Sequence, residues 1–236
     1  MKITQEQKIS KTIHYCWFGG GEIPEKNKQW IRNWKKLCPD YEIIEWNEYN
    51  YDITKNKYMY EAYKEKKWAF VSDYARIDII YEHGGIYLDT DVEIIRNLDE
   101  LLYQDAFCGL DTSGVIAFGL GFGGKIHMPF LKKLRSMYDD MSFVRSDGSV
   151  DLTPQPMLQT EFCQQYGMKQ NGDFQIIENM TIYPERVLSG KSLLTGQPFI
   201  TKDTFLLHHY DASWANVDVQ ERKEKNWELF SKIENE

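Results

Sequence analysis

Hydrophobic positions change period several times along the chain, and each change marks an element. In KTIHYCWF, Ile13, Tyr15 and Trp17 share one face at period two, which predicts a strand. GGGEIP breaks it. Over 24–37, Trp30, Ile31, Trp34 and Leu37 recur at helical spacing, and Pro24 suits a first turn. PDY stops that helix and EIIEW reads as a second strand. Strand, helix, strand predicts a βαβ unit and a parallel sheet, whose ligands sit beyond the carboxyl ends of the strands.

The segment WAFVSDYARIDIIYEHGG is more informative. Phe70, Tyr74, Ile77 and Tyr81 follow one another at spacings 4, 3 and 4, one stripe of a helix. Ser72, Asp73 and Arg76 fall within a second arc of about 100°. Val71, Ala75, Ile79 and Ile80 fill much of the rest, so the helix is expected to be mostly buried. Asp73 and Arg76 are then costly unless they pair with each other at i,i+3 or bind something else. Gly84 suits the helix cap, Ile86 to Leu88 a short strand, and Asp89 stands at its carboxyl end. Residues 142–157 form the expected long loop, and no internal repeat occurs.

Composition narrows the classes. With 236 residues, 42% hydrophobic and 14% aromatic, the chain supports one substantial core. It has no apolar run of about 18 residues, the length a membrane span needs. Its N-terminus lacks the apolar stretch of a secretory signal. Cys16, Cys38, Cys108 and Cys163 show no metal-ligand spacing and read as reduced and buried, which suits a cytoplasmic protein. A net charge of −8 without a long basic stripe argues against nucleic acid. An anionic ligand would need local help, most simply from a metal cation.

Asp89, Asp91 and Glu93 crowd three carboxylates into five positions, where they repel one another unless a cation sits among them. A solvated acidic turn is the plain reading. A calcium loop of the EF-hand type fails, because Ile94 stands where a glycine is needed and VEIIRNL reads as strand. A divalent cation bridging acids to a diphosphate fits the position best, at a strand end after a buried polar helix.

IHYCWFGG, WAFVSDYARIDIIYEHGGIYLDTDVE, GLGFGG and HHYDASW together closely resemble bacterial members of glycosyltransferase family 32. These are capsular polysaccharide and lipopolysaccharide transferases related to yeast mannosyltransferases, and clostridial glucosylating toxins share a similar core. The resemblance implies an α/β GT-A fold, a Rossmann-like mixed sheet with helices on both faces, as a single domain over 1–236. A donor half would occupy about 10–100, an acceptor half with a closing C-terminal loop about 101–216, and a terminal helix about 217–236. That helix reads as plain and solvated, with peripheral contact at the inner face of the membrane as the other reading. The resemblance further implies a UDP- or GDP-sugar donor, a glycan or lipid-linked saccharide acceptor, Mn²⁺ or Mg²⁺, and retention at the anomeric carbon.

Carried onto this sequence, the resemblance gives Trp17 the nucleobase, against the alternative of a core tryptophan. Asp73 and Arg76 would hold the donor sugar, with Arg76 also near the diphosphate, and Ser72 and Tyr87 would belong to the donor pocket. Asp89 would touch ribose, sugar and metal, and Asp91 would ligate the metal directly. One of His208 and His209 would complete the metal shell, since neighbours in a strand face opposite ways. Ser213 and Trp214 would close on the β-phosphate. Glu93 reads as a solvated or structural acid, His14 and His83 as structural, and His127 as part of a surface turn. The glycine-rich 114–124 is either a bulged strand or part of the acceptor side. Thr153 to Pro156 replace the Gly-Pro common in relatives and receive no catalytic duty. A nucleotide-sugar-binding protein without turnover, and a nucleotide-sugar pyrophosphorylase, are the competing readings. The second wants a basic Gly-rich loop that FGGGEIPEK lacks, although Lys26 is close.

Overall fold

A computed structural model describes residues 6–211, 223–225 and 227. Its elements run β1 (Thr12–Cys16), α1 (Glu25–Leu37), β2 (Glu42–Trp46), α2 (Lys57–Lys64), α3 (Trp68–His83), β3 (Gly85–Tyr87), β4 (Val92–Ile94) and β5 (Ala106–Gly109). There follow β6 (Phe122–Gly124), α4 (Pro129–Ser136), α5 (Gln155–Gln164), β7 (Gln175–Ile177), β8 (Met180–Tyr183), α6 (Glu185–Leu188) and β9 (Leu206–His208). Seven strands form one mixed sheet in the order β2-β1-β3-β6-β5-β8-β7, and β4 pairs with β9 in a separate ribbon. β1 runs parallel to both β2 and β3, and β5 parallel to β8, while β6 is antiparallel to its two neighbours. The carboxyl ends of β1, β3, β5 and β8 therefore share one edge. The fold is the α/β arrangement expected from the sequence.

Two apolar cores form, one holding the α3 side chains and the other Trp34 of α1 with the ribbon. α3 buries ten residues, Asp73 and Arg76 among them, because apolar side chains surround it on most of its circumference. Gly84 caps it with φ +67°, and its N–H reaches Ile80 O at 2.9 Å. At Gly85, φ is +97° and a side chain would press to 2.8 Å from Thr12 O, so glycine alone lets β3 lie beside β1. His14 is structural as expected. Burial drops its pKa to about 4, and its two ring nitrogens meet Gly84 O and the Trp46 indole N–H.

Two expectations shift. The long loop ends at 154, because Pro156 lies in the first turn of α5, where a missing N–H costs no helical bond. Within 114–124 only Phe122–Gly124 is strand; Phe118–Leu120 is a 3-10 turn. All four cysteines are buried and free. Among the described residues no helix is long and apolar enough to cross a membrane. Ser213, Trp214 and most of the terminal helix expected over 217–236 lie outside the described residues.

α1 anchors the ribbon. The fully buried Trp34 donates its indole N–H to Val92 O at 2.8 Å, and Asn33 Oδ1 accepts the Ile94 N–H at 3.0 Å. Trp34→Ala should lower unfolding free energy by about 3–5 kcal/mol in urea denaturation, with Trp34→Phe intermediate. A loss below about 1 kcal/mol, the range of a surface substitution, would show that this contact does not hold the ribbon.

Candidate active site

β3 delivers the chain to the acid cluster. Leu88 N–H still bonds His14 O, then Asp89 N–H turns to Gly119 O at 3.4 Å, and Val92 N–H closes back on Asp89 O at 3.1 Å. α1 steadies this turn through Asn27, whose side-chain amide donates to Thr90 Oγ1 at 3.2 Å. The chain then enters β4, and the ribbon register sets Val92 opposite His208. That register brings His208 Nε2 to 3.2 Å from Asp91 Oδ1. Asp91 Oδ2 accepts the Asp211 N–H at 2.9 Å, and Asp91 O accepts the His209 N–H at 2.9 Å.

Asp89, Asp91 and His208 each offer one ligand atom, and these atoms lie within 4.8 Å of one another. Two carboxylates and an imidazole suit Mn²⁺, and the oxygens suit Mg²⁺, so the donor set fits the divalent cation expected. Asp89 keeps 29% of its side chain exposed, which leaves the cluster open to a ligand. The ribbon also decides between the two histidines. His209 faces away, with Nε2 3.1 Å from Glu93 Oε2 and its ring stacked on Trp30 at 4.3 Å and 10°. Glu93 is thus a structural acid that holds His209.

Behind the cluster, α3 supplies a buried cation. Arg76 Nη2 lies 3.3 Å from Asp73 Oδ1 and 3.4 Å from Asp89 Oδ1, and Nε–H donates to Ser72 O. The i,i+3 pair foreseen as the plain reading exists, and the same guanidinium reaches the acid cluster. Tyr87, fully buried, donates its hydroxyl to Asp89 Oδ1 at 2.9 Å. Burial raises the Asp73 pKa to about 6, with Arg76 opposing. Burial also raises Asp89, with Arg76 opposing and the like charge of Asp91 adding to the rise. At Asp91 burial is outweighed by the His208 charge and by hydrogen bonds, which hold the carboxyl well below its usual range. Burial works against the imidazolium of His208, but Asp91 overcomes it and raises the pKa.

The remaining expected residues are more scattered. Trp17 is half-buried, donates its indole N–H to Gly21 O at 2.7 Å and packs on the Trp34 core. Ser72 turns its hydroxyl back to Trp68 O at 3.0 Å, so only its carbonyl serves the cluster, through Arg76. Sequence reasoning missed three neighbours. A side chain at Gly119 would strike Asp89 Oδ2 and come 3.1 Å from Arg76, so this glycine admits the backbone that receives Asp89. Its segment read either as a bulged strand or as part of the acceptor side; the structure sets Gly119 against Asp89, and the density of glycines was the only signal. Trp30 read as one of a helical stripe, and Tyr210, whose ring stands 4.3 Å from that of His208, lay between more visible motifs.

Residues 24–108 match the family model described as a glycosyltransferase sugar-binding region containing a DXD motif, a span that takes in α1, α3 and both acids. The chain is 33% identical over 141 residues to inositol phosphoceramide mannosyltransferase 3 of Schizosaccharomyces pombe, covering 56% of this chain and 38% of that protein. It is 24% identical over 220 residues to an uncharacterized glycosyltransferase of Acanthamoeba polyphaga mimivirus, covering 88% and 84%. The chain thus spans 38% of the length of the fungal relative. Among solved structures, the PaToxG glycosyltransferase superposes with a TM-score of 0.51 at 17% identity, over 67% of this chain and 70% of that one. That likeness shows the shared GT-A fold.

A metal-ligating imidazole must be neutral, so protons compete with the cation at His208. Tyr210 N–H now reaches His208 Nδ1 at 3.2 Å, a bond that yields when Nδ1 takes the proton and Nε2 binds metal. Mn²⁺ affinity should therefore fall by about tenfold per pH unit below the raised His208 pKa, with release of about one proton on binding. Calorimetry in buffers of different ionisation enthalpy measures both. Affinity that is flat with pH and free of proton release would remove His208 from the ligand set.

Proposed function

We propose that this chain, a glycosyltransferase of the family-32 type by its sugar-binding region and GT-A fold, moves a hexose from a UDP- or GDP-linked donor to a glycan or lipid-linked saccharide. One observation carries the reading: Asp89, Asp91 and His208 converge at the carboxyl edge of the parallel strands, where ligands of such sheets bind. Asp89, Asp91 and His208 would hold Mn²⁺ or Mg²⁺, which supplies positive charge to the departing diphosphate when bound.

The chain's own residues set up the rest. Arg76 keeps a fixed, desolvated positive charge beside Asp89, where a donor diphosphate would gather negative charge as the anomeric bond breaks. Asp73, held by Arg76, would accept hydrogen bonds from sugar hydroxyls as the anomeric carbon becomes cationic. Trp17, beyond the end of β1, would stack on the nucleobase. We favour transfer with retention by same-face attack, in which the leaving phosphate accepts the acceptor's proton. The half from about residue 101 onward would receive the acceptor. A cytoplasmic enzyme of capsular polysaccharide or lipopolysaccharide assembly, in peripheral contact with the inner membrane, follows from the family resemblance. Mannose is the first donor sugar to try, because the fission-yeast relative is named a mannosyltransferase. The pyrophosphorylase reading has less support, since Lys26 lies in the first turn of α1 and pairs with Asp211 at 2.6 Å.

A panel of UDP- and GDP-hexoses with Mn²⁺, assayed for free nucleoside diphosphate, tests the proposal. One donor should be turned over, and Asp73→Ala should slow it at least about 100-fold, near 2.7 kcal/mol of transition-state stabilisation. No diphosphate from any donor, or pyrophosphate as the product, would reject the reading; full turnover in Asp73→Ala would remove that residue from it.

A further inference from the structure

Two lysines meet next to Tyr210, close after His208 in the chain, and among the described residues neither pairs with a carboxylate. Lys191 lies shortly after α6, and Lys223 comes from the C-terminal segment. Their ammonium groups stand over one ring, 4.2 and 4.8 Å from the centroid of Trp227. That ring is seated: its indole N–H donates to Leu193 O at 3.0 Å, and its face packs on Gly196, where any side chain would collide with it. Lys223 is further fixed by donating to Tyr210 O at 2.5 Å. Among the described residues, neither lysine forms an ion pair. Asp211, whose charge both feel, is taken by Lys26 at 2.6 Å.

Holding two ammonium groups over one ring costs energy through mutual repulsion. Burial and the neighbouring lysines lower the pKa of Lys191, and burial lowers that of Lys223. Both nonetheless sit within the field of Asp91. Arg76 serves the Asp89 end of the cluster, through Asp89 and Asp73. The lysines stand toward the Asp91 end, since Lys223 bonds Tyr210 O and the next residue, Asp211, gives its N–H to Asp91 Oδ2. A bridging anion would meet positive charge at both ends. Ammonium groups, compact and with three donors each, suit phosphate oxygens that approach from different directions.

We propose that Lys191 and Lys223 form an anion clamp that grips the diphosphate of the donor and of the departing nucleoside diphosphate. The inference rests on the transferase reading above and assigns the charge that balances the leaving group on the side away from Arg76. It also gives Trp227 a task, as the platform that holds both ammonium groups in place.

Calorimetry with pyrophosphate, UDP, UMP, GDP and GMP in the presence of Mn²⁺ tests the clamp on the parent, Lys191→Ala, Lys223→Ala and Lys191→Arg, each checked by a melting curve. The parent should bind pyrophosphate and prefer diphosphate to monophosphate. Each alanine variant should lose about tenfold or more in pyrophosphate and diphosphate affinity, with little change for the monophosphates. Lys191→Arg should recover most of the loss, and Mn²⁺ alone should bind every variant at least as tightly as the parent. Folded alanine variants that keep the parent's preference for diphosphate would overturn the clamp and leave the transferase reading standing. A parent that binds pyrophosphate in a lysine-dependent way but neither UDP nor GDP would overturn the transferase reading instead.

Discussion

The pairing of β4 with β9 is the constraint on which the site depends. It joins residues 92–94 to residues 206–208 and sets His208 against Asp91 at 3.2 Å. A ribbon of three-residue strands is too short to stand alone. It persists because Trp34 and Asn33 of α1 tie β4 from one side, and because Val92, Ile94 and Leu206 are buried in the same core as Trp34. Removing that support should separate Asp91 from His208 before it alters the main sheet.

Charge is arranged around the ribbon in a consistent order. Two acids two residues apart in sequence are tolerable here because each has its own basic partner: Arg76 for Asp89 and the His208 imidazole for Asp91. Asp73 completes the set by sharing Arg76. Buried ion pairs of this kind contribute little net stability, since desolvation offsets most of the attraction. On α3, a helix otherwise apolar over most of its surface, they hold fixed charge beside the two acids, the charge that the proposed transfer would use. The lysines on Trp227 extend the same logic outward, with positive charge that no acid among the described residues pairs with.

Much of the architecture around Asp89 was legible in the sequence because its signals are local. The period of α3, the Gly84 cap and the position of Asp89 at a strand end all follow from neighbours within a turn or two. The alternation of a strand said that only one of His208 and His209 could serve, but choosing His208 needed a register set 116 residues away. Gly119 showed itself as one glycine among many; its contact with Asp89 belongs to the tertiary fold. Trp30 looked like core because stacking on His209 leaves the same helical spacing as packing does. The later strands β5 to β8 have only three or four residues each, too few for a period to declare itself. Lys191, Lys223 and Trp227 carry no spacing signal, since they meet only once the chain has folded.

Pulsed EPR of bound Mn²⁺ tests the central claim most directly, because it reads nitrogen coordination without turnover. The structure predicts coupling to one imidazole nitrogen in the parent and in His209→Ala, and its loss in His208→Ala. Coupling that survives in His208→Ala, or that vanishes in His209→Ala, would contradict the geometry of the ribbon and of the site built on it.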